Sequence, residues 1–320
     1  MRAYQLSAPG AAPAFQTLDL PPPGPGEVRL RVAACGLNFA DLLMIEGRYQ
    51  ERPTPPFTLG MELSGTVTAL GPGVSGLAPG DRVAAFTGQG GLAPEANVPA
   101  TRCLPLPPAM DFDTAAAFQI AYGTSHLALD HKARLQPGET LFVTGAAGGV
   151  GLTAVEIGKR MGATVIASTR GADKLAIARA AGADHLIDSE NPDLRGQLKM
   201  LGGVDVVYDS VGGPAFMEAL RATRPEGRLL AIGFAGGEVP QVPANLLLVK
   251  NLSVMGLYWG GYLTFRPEVL TASLQTLAGW IAEGSLHPHI GARFPLDRVE
   301  EALETLRARR STGKIVVTMG

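Results

Sequence analysis

Between residues 144 and 151 the chain reads Thr144-Gly145-Ala146-Ala147-Gly148-Gly149-Val150-Gly151, set between a short apolar run at 140–144 and a helical pattern at 149–161. The chemistry that suits such a run is anion binding. Glycines leave backbone N–H groups uncovered at a helix start, where the helix dipole favours negative charge and a pyrophosphate meets no side chain. Ala146, Gly148, Gly149, Val150 and Gly151 are the candidate contacts. Gly148 and Gly151 are best placed for close approach and for packing the helix on a sheet. In such a fold the adenosine ribose lies at the end of the next strand, here 164–169, and an NAD-selective protein sets an acid there. This chain has Ser168-Thr169-Arg170 instead, with Lys174 beyond. Two hydroxyls and two cations suit the dianionic 2′-phosphate of NADPH through charge-assisted hydrogen bonds. NADPH is therefore expected over NADH.

A second polar group stands near the start of the chain. Asn38 offers an amide donor to a carbonyl, and Asp41, one helical turn later, accepts from an amide or hydroxyl and orients the wall of a site. A third group is aromatic. Tyr258, Trp259 and Tyr262 cluster just after the last strand of the expected sheet, where a flat conjugated ring would stack or an interface would pack. Phe234, after the strand ending at 233, is a candidate contact on the nicotinamide side of the cofactor. Metal ligands are not gathered in sequence. His126, His131, His185, His287 and His289 suit surface or satisfied-core roles, with His287-Pro288-His289 at most a catch for adventitious metal, and Cys103 has no nearby Cys or His, so no metal is expected. Asp205 and Asp209 read as strand-end caps or loop hydrogen-bond partners rather than catalytic acids.

These residues need two different frameworks. Residues 27–33 and 61–70 read as short strands bounded by Pro and Gly turns, with a helix near 39–46, the grammar of a mainly β domain reaching to about 120. From 139 the rhythm becomes strand, helix, strand. Strands at 140–144, 164–169, 185–187, 204–208, 228–232 and 252–255 alternate with helices, which predicts a mostly parallel sheet with right-handed crossovers. Residues 267–283, 299–309 and 314–318 then read as helix, helix, strand.

Composition sets the limits. The 320 residues are 46% apolar and 18% charged, enough for large cores, and a single core rarely grows past roughly 250–300 residues, so two domains are expected. A net charge of −2 without a basic stripe disfavours a nucleic-acid partner. No apolar run approaches the roughly 18 residues of a membrane span. The start has no secretory pattern and the two cysteines suit a reducing compartment, so a cytoplasmic protein is expected.

The sequence resembles the medium-chain dehydrogenase/reductase superfamily, specifically its zinc-independent NADPH:quinone oxidoreductase branch. The resemblance is carried by Gly36-Leu37-Asn38-Phe39-Ala40-Asp41, Gly60-Met61-Glu62, Pro79-Gly80-Asp81-Arg82-Val83, the 146–151 loop and Gly313-Lys314-Ile315-Val316-Val317, and it spans nearly the whole chain. It implies an α/β protein: a GroES-like, mainly β catalytic domain from residues 1–123 and 264–320, and a Rossmann-type doubly wound parallel-sheet domain from 124–263 that binds NADPH. It also implies a cleft between them as the active site, and a homodimer. Zinc-dependent relatives place a Cys ligand where Asn38 stands and a His ligand where Met61 stands, so neither ligand is kept. The resemblance further implies Gln119, Tyr122 and Thr124 near the nicotinamide and Lys314 as a cofactor contact. Tyr49 matches the tyrosine that zinc-independent enoyl reductases of the superfamily hold near the substrate carbonyl, which makes it the candidate proton donor, with a gate or aromatic wall as its simpler role.

The activity this reading favours is reduction of a quinone by hydride from NADPH without a metal. Enones and enoyl thioesters are the alternative substrates, and a noncatalytic NADPH-binding regulator or structural protein is the alternative class. Tyr49, Tyr122, Tyr258 and Trp259 are the candidate substrate contacts.

Overall fold

The computed structural model describes residues 1–320. In chain order the first elements are β1 (Arg2–Leu6), β2 (Ala14–Thr17), β3 (Glu27–Leu37), α1 (Phe39–Ile45), β4 (Phe57–Thr58), β5 (Glu62–Leu70), β6 (Arg82–Phe86), β7 (Glu95–Pro99), β8 (Cys103–Pro105) and α2 (Phe112–His126). A π-helical turn, Leu127–Lys132, extends α2. Then come β9 (Thr140–Thr144), α3 (Gly149–Arg160), β10 (Thr164–Thr169), α4 (Ala172–Ala180), β11 (His185–Asp188), α5 (Leu194–Met200), β12 (Val204–Asp209), α6 (Gly213–Ala222) and β13 (Thr223–Ala231). The chain ends with α7 (Ala244–Lys250), β14 (Ser253–Gly256), α8 (Tyr262–Phe265), α9 (Pro267–Ala282), β15 (Ile290–Pro295), α10 (Val299–Arg307) and β16 (Lys314–Thr318).

Two compact units result, residues 1–120 with 288–320, and residues 121–287. The first contains a seven-stranded sheet in the order β15-β16-β3-β5-β6-β8, with β7 also paired to β3, and a small sheet β2-β1-β4. β3 shows why this sheet forms. Its Val28, Leu30 and Val32 alternate with Arg29 and Arg31, so one face joins a core of Leu63, Val67, Val83 and Val98 while the other carries charge. At its end the alternation stops and Ala34 to Leu37 are buried on both faces. Ala34 packs with Ala116 and Ala117 of α2 and with Val316 of β16.

The second unit is a six-stranded parallel sheet in the order β11-β10-β9-β12-β13-β14. Counted within the unit this is 3-2-1-4-5-6, the doubly wound arrangement whose order reverses between its first and fourth strands. All five residues of β9 are buried, as a strand covered by helices on both faces must be. Residues 264–287, which the family resemblance assigns to the catalytic domain, fall in this second unit. The reason is packing: His126 Nδ1 is 2.8 Å from Ser273 Oγ of α9, and the His126 ring meets Trp280 edge-on at 5.2 Å. Leu270, Leu274 and Leu277 on the same helix are buried.

Candidate functional site

The glycine turn occupies the switch point of the parallel sheet. Gly145 leaves β9 with φ +60°, and a Cβ at Gly151 would lie 2.2 Å from Gly145 O, so the helix can approach the turn only with glycine there. Gly148 is the N-cap of α3 and no side chain caps the helix. The first bond along α3 runs from Leu152 N to Gly148 O at 2.9 Å, which leaves the N–H groups of Gly149, Val150 and Gly151 ahead of it without an intrahelical acceptor. Those donors are what a bound phosphate requires. Ala146 is tied back to the sheet by its N–H to Ser168 O at 3.0 Å.

Buried side chains fix this turn. Thr144 Oγ1 donates to Asp209 Oδ1 at 2.5 Å and accepts from Ser210 N at 3.1 Å, while Asp209 Oδ2 accepts from Gly212 N at 2.8 Å. The ends of β9 and β12 are thereby joined, and Asp209 is the strand-end cap that its position suggested. Burial raises the Asp209 pKa, against those hydrogen bonds. Beneath α3, Ser125 Oγ donates to Val150 O at 2.9 Å and lies 2.8 Å from Thr153 Oγ1 and 2.9 Å from Tyr208 Oη. None of these hydroxyls stands out in the sequence, because a Ser, a Thr and a Tyr spread over more than 80 residues carry no local pattern.

At the end of β10, Ser168 and Thr169 are buried and Arg170 is exposed. Gly171, with φ +78°, turns the chain into α4, which brings Lys174 near Arg170. Partial burial first, and the Arg170 charge second, lower the Lys174 pKa. Two cations thus share one strand end. No acid stands in β10 itself, as the sequence shows, but the parallel neighbour supplies one: Arg170 Nε is 3.2 Å from Glu190 Oε1, just past β11.

The remaining expected residues of this unit separate by burial. Tyr122 is buried and its hydroxyl donates to Glu156 Oε2, so burial and then the Glu156 charge push its pKa up. Thr124 is buried. Trp259 is buried over Gly123, where an added Cβ would come within 2.5 Å of its Nε1. Tyr258 and Phe234 are the exposed aromatics of the group.

In the first unit the chain gathers Asn38, Asp41, Glu62 and Lys314 in its interior. Lys314 Nζ lies 2.7 Å from Glu62 Oε1, 2.7 Å from Asn38 Oδ1 and 2.8 Å from Leu37 O, which accounts for all three ammonium hydrogens. The Asn38 amide donates to Glu62 Oε1 at 2.9 Å and Gly36 O at 3.2 Å. Glu62 Oε2 accepts from Ile120 N at 3.0 Å. The amide expected to face a substrate and the lysine expected to face the cofactor are therefore both engaged inside the unit. Glu62 and Lys314 are 252 residues apart, and only β5 and β16, both ordered around β3, bring them together. The signal for Glu62 is a single charged residue opening an otherwise uncharged strand.

Asp41 is fully buried on α1. Its Oδ2 accepts the Asn38 N–H at 2.8 Å, half of a capping box, and its Oδ1 has no hydrogen-bond partner. Burial pushes Asp41 up to about 7, more than the Asn38 hydrogen bond and the Lys314 charge lower it. Gln119 is buried too, with Nε2 unpartnered. Tyr49 sits half-buried in the loop after α1.

The arrangement defines a class. A family model described as alcohol dehydrogenase GroES-like domain matches residues 24–108, and one described as zinc-binding dehydrogenase matches residues 149–277. The chain belongs to the medium-chain dehydrogenase/reductase superfamily, within its quinone oxidoreductase family. It is 42% identical to a quinone oxidoreductase-like protein 2 homolog of Nematostella vectensis over 95% of this chain and 84% of that one. The Escherichia coli quinone oxidoreductase complexed with NADPH superposes with a TM-score of 0.91 at 29% identity, over 99% of both chains. The quinone oxidoreductase of Thermus thermophilus, solved also as its NADPH complex, gives 0.86 at 35% identity over 100% of both. No helix is long and apolar enough to cross a membrane.

Proposed function

We propose that this protein reduces quinones with NADPH by hydride transfer, without a metal. The observation that carries the reading is the uncapped α3 N-terminus at the sheet's switch point, with Arg170 and Lys174 at the end of the adjacent strand. The residues fit the cofactor: the first-turn N–H groups of Gly149, Val150 and Gly151 suit the pyrophosphate, and the two cations suit a 2′-phosphate. Gln119 Nε2, a buried donor without an acceptor, suits a carboxamide oxygen of the nicotinamide. Bound there, NADPH supplies a hydride, and the quinone takes that hydride and one proton to become a hydroquinone.

The chain's part is to hold, shield and protonate. Tyr49, whose phenol carries a transferable proton, is the proposed proton donor and is reprotonated from solvent. Tyr258 offers an exposed ring to a flat substrate, and Phe234 an exposed ring toward the cofactor. Asn38 and Asp41 shape the wall through the Lys314–Glu62 network instead of donating directly. Tyr122 and Trp259 brace the second unit from within.

Zinc, which the description of one matching family model suggests, does not fit. An amide and a thioether stand at positions 38 and 61, the adjacent Glu62 carboxylate is already paired with an ammonium at 2.7 Å, and no three His, Cys, Asp or Glu side chains converge anywhere. We also propose a homodimer. Leu248 and Val249 are 78% and 69% exposed on α7, and β14 is an edge strand of its sheet, surface that a second copy would cover. The test of function is NADPH oxidation against panels of quinones, enones and enoyl thioesters. Turnover only with the latter two would move the substrate class. Tight NADPH binding without turnover on any panel would favour a noncatalytic role.

A further inference from the structure

We infer that Glu190 is a specificity-determining residue for the cofactor, acting as a built-in competitor of the 2′-phosphate for Arg170. This rests on the reading of Arg170 as a phosphate contact. Arg170 Nε and Glu190 Oε1 are 3.2 Å apart, and both side chains are mostly exposed, at 72% and 66%. The carboxylate therefore occupies Arg170 without burying it. A phosphate arriving from solvent can displace it.

Glu190 is placed by the backbone as much as by charge. β10 and β11 pair in parallel with Thr169 opposite Asp188, and Ser189 N donates to Thr169 O at 3.0 Å, which carries the pairing one residue past the strands. Asp188 then closes a turn: its Oδ1 accepts from Glu190 N at 3.0 Å and its carbonyl from Asn191 N at 3.0 Å. The Glu190 side chain thus starts from a fixed point beside the end of β10. Beside it stand Arg170, whose charge also acts on Lys174, and the Asp188 carboxylate that accepts its N–H.

The consequence is asymmetric between the two nicotinamide dinucleotides. NADH leaves the Arg170–Glu190 pair intact, because a ribose hydroxyl does not outcompete a carboxylate for a guanidinium. The 2′-phosphate of NADPH must share the guanidinium with that carboxylate or displace it before it gains the whole of Arg170. An exposed ion pair contributes little, so the expected handicap is about two- to fivefold in NADPH affinity. Glu190 tempers the preference set by Arg170 and Lys174.

The experiment measures dissociation constants for NADPH and NADH by titration of cofactor fluorescence, for the wild type, Glu190→Gln, Arg170→Ala and the double variant. The expected result is a two- to fivefold tighter NADPH for Glu190→Gln, unchanged NADH, and no gain from Glu190→Gln when Arg170 is already alanine. An equal shift for both cofactors overturns the inference, as does no shift. An undiminished NADPH gain in the Arg170→Ala background overturns it too, because the effect would then be general repulsion and not competition for Arg170. If Arg170→Ala alone leaves NADPH binding unchanged, the phosphate-contact reading fails, and the inference with it.

Discussion

Asp41 is where the structure makes a quantitative demand on pH. Its carboxyl is fully buried, one oxygen has no partner, and burial holds its pKa near 7 against about 3.9 in an unfolded chain. A carboxyl raised on folding binds its proton more tightly in the native state. It therefore adds stability below the unfolded value, and that stability is lost as pH climbs through the folded value. From pH 5 to pH 8 the wild type passes through the upper two units of that window, a loss on the order of 3 kcal/mol. Asp41→Asn does not titrate. Its amide puts a donor where Oδ1 lacks a partner, a cost on the order of 1–3 kcal/mol that is the same at both pH values and cancels in the comparison. Both tryptophans, Trp259 and Trp280, lie in the second unit, so their fluorescence reports the wrong half of the chain. Cys35 is fully buried in the first unit, so a brief thiol-labelling pulse at a common pH, after equilibration in urea at pH 5 or 8, reads its unfolding directly. The gap between variant and wild type should shift by about 3 kcal/mol in favour of Asp41→Asn between the two pH values. A shift below about 0.5 kcal/mol would refute the claim that this carboxyl is protonated at neutral pH.

Three further outcomes follow from distances. Gly151→Ala places a methyl 2.2 Å from Gly145 O, so the turn must move and NADPH affinity should fall at least about tenfold by fluorescence titration, a loss of about 1.4 kcal/mol or more. Lys314→Met strands the Glu62 carboxylate in the core and should destabilise the first unit by about 3–5 kcal/mol, measured by Cys35 protection in urea, with Glu62→Gln in the same chain recovering part of it. Tyr49→Phe should lower kcat on the order of 10²-fold with NADPH affinity unchanged; unchanged kcat would mean that solvent delivers the proton.

Local rules carry much of this fold. β9, α3 and β10 appear where apolar runs and the glycine turn put them, because a buried parallel strand and an uncapped helix start are written in adjacent residues. The strands β1, β2 and β4 have no such local signature. β4 has only two residues and exists by pairing with β1 across more than 50 positions. α7 is equally hard to read, since only Leu246 and Leu247 turn toward the core while Leu248 and Val249 are exposed, too short an inward stripe to register. The site divides along the same line. The anion-binding turn is legible because its chemistry is contiguous, whereas the partners of Asn38 and Lys314 are not, because sheet order brings them together from opposite ends of the chain. Glu190 escapes a sequence reading for a related reason. The acid beside β10 belongs to the next strand.

The central claim is a metal-free hydride transfer from NADPH to a quinone. The direct measurement uses protein stripped by a chelator and NADPH deuterated at the transferring carbon, with the rate of cofactor oxidation followed on a small quinone. The account requires undiminished turnover after chelation and a slower rate with the deuterated cofactor. Activity that vanishes on chelation and returns with zinc would contradict it.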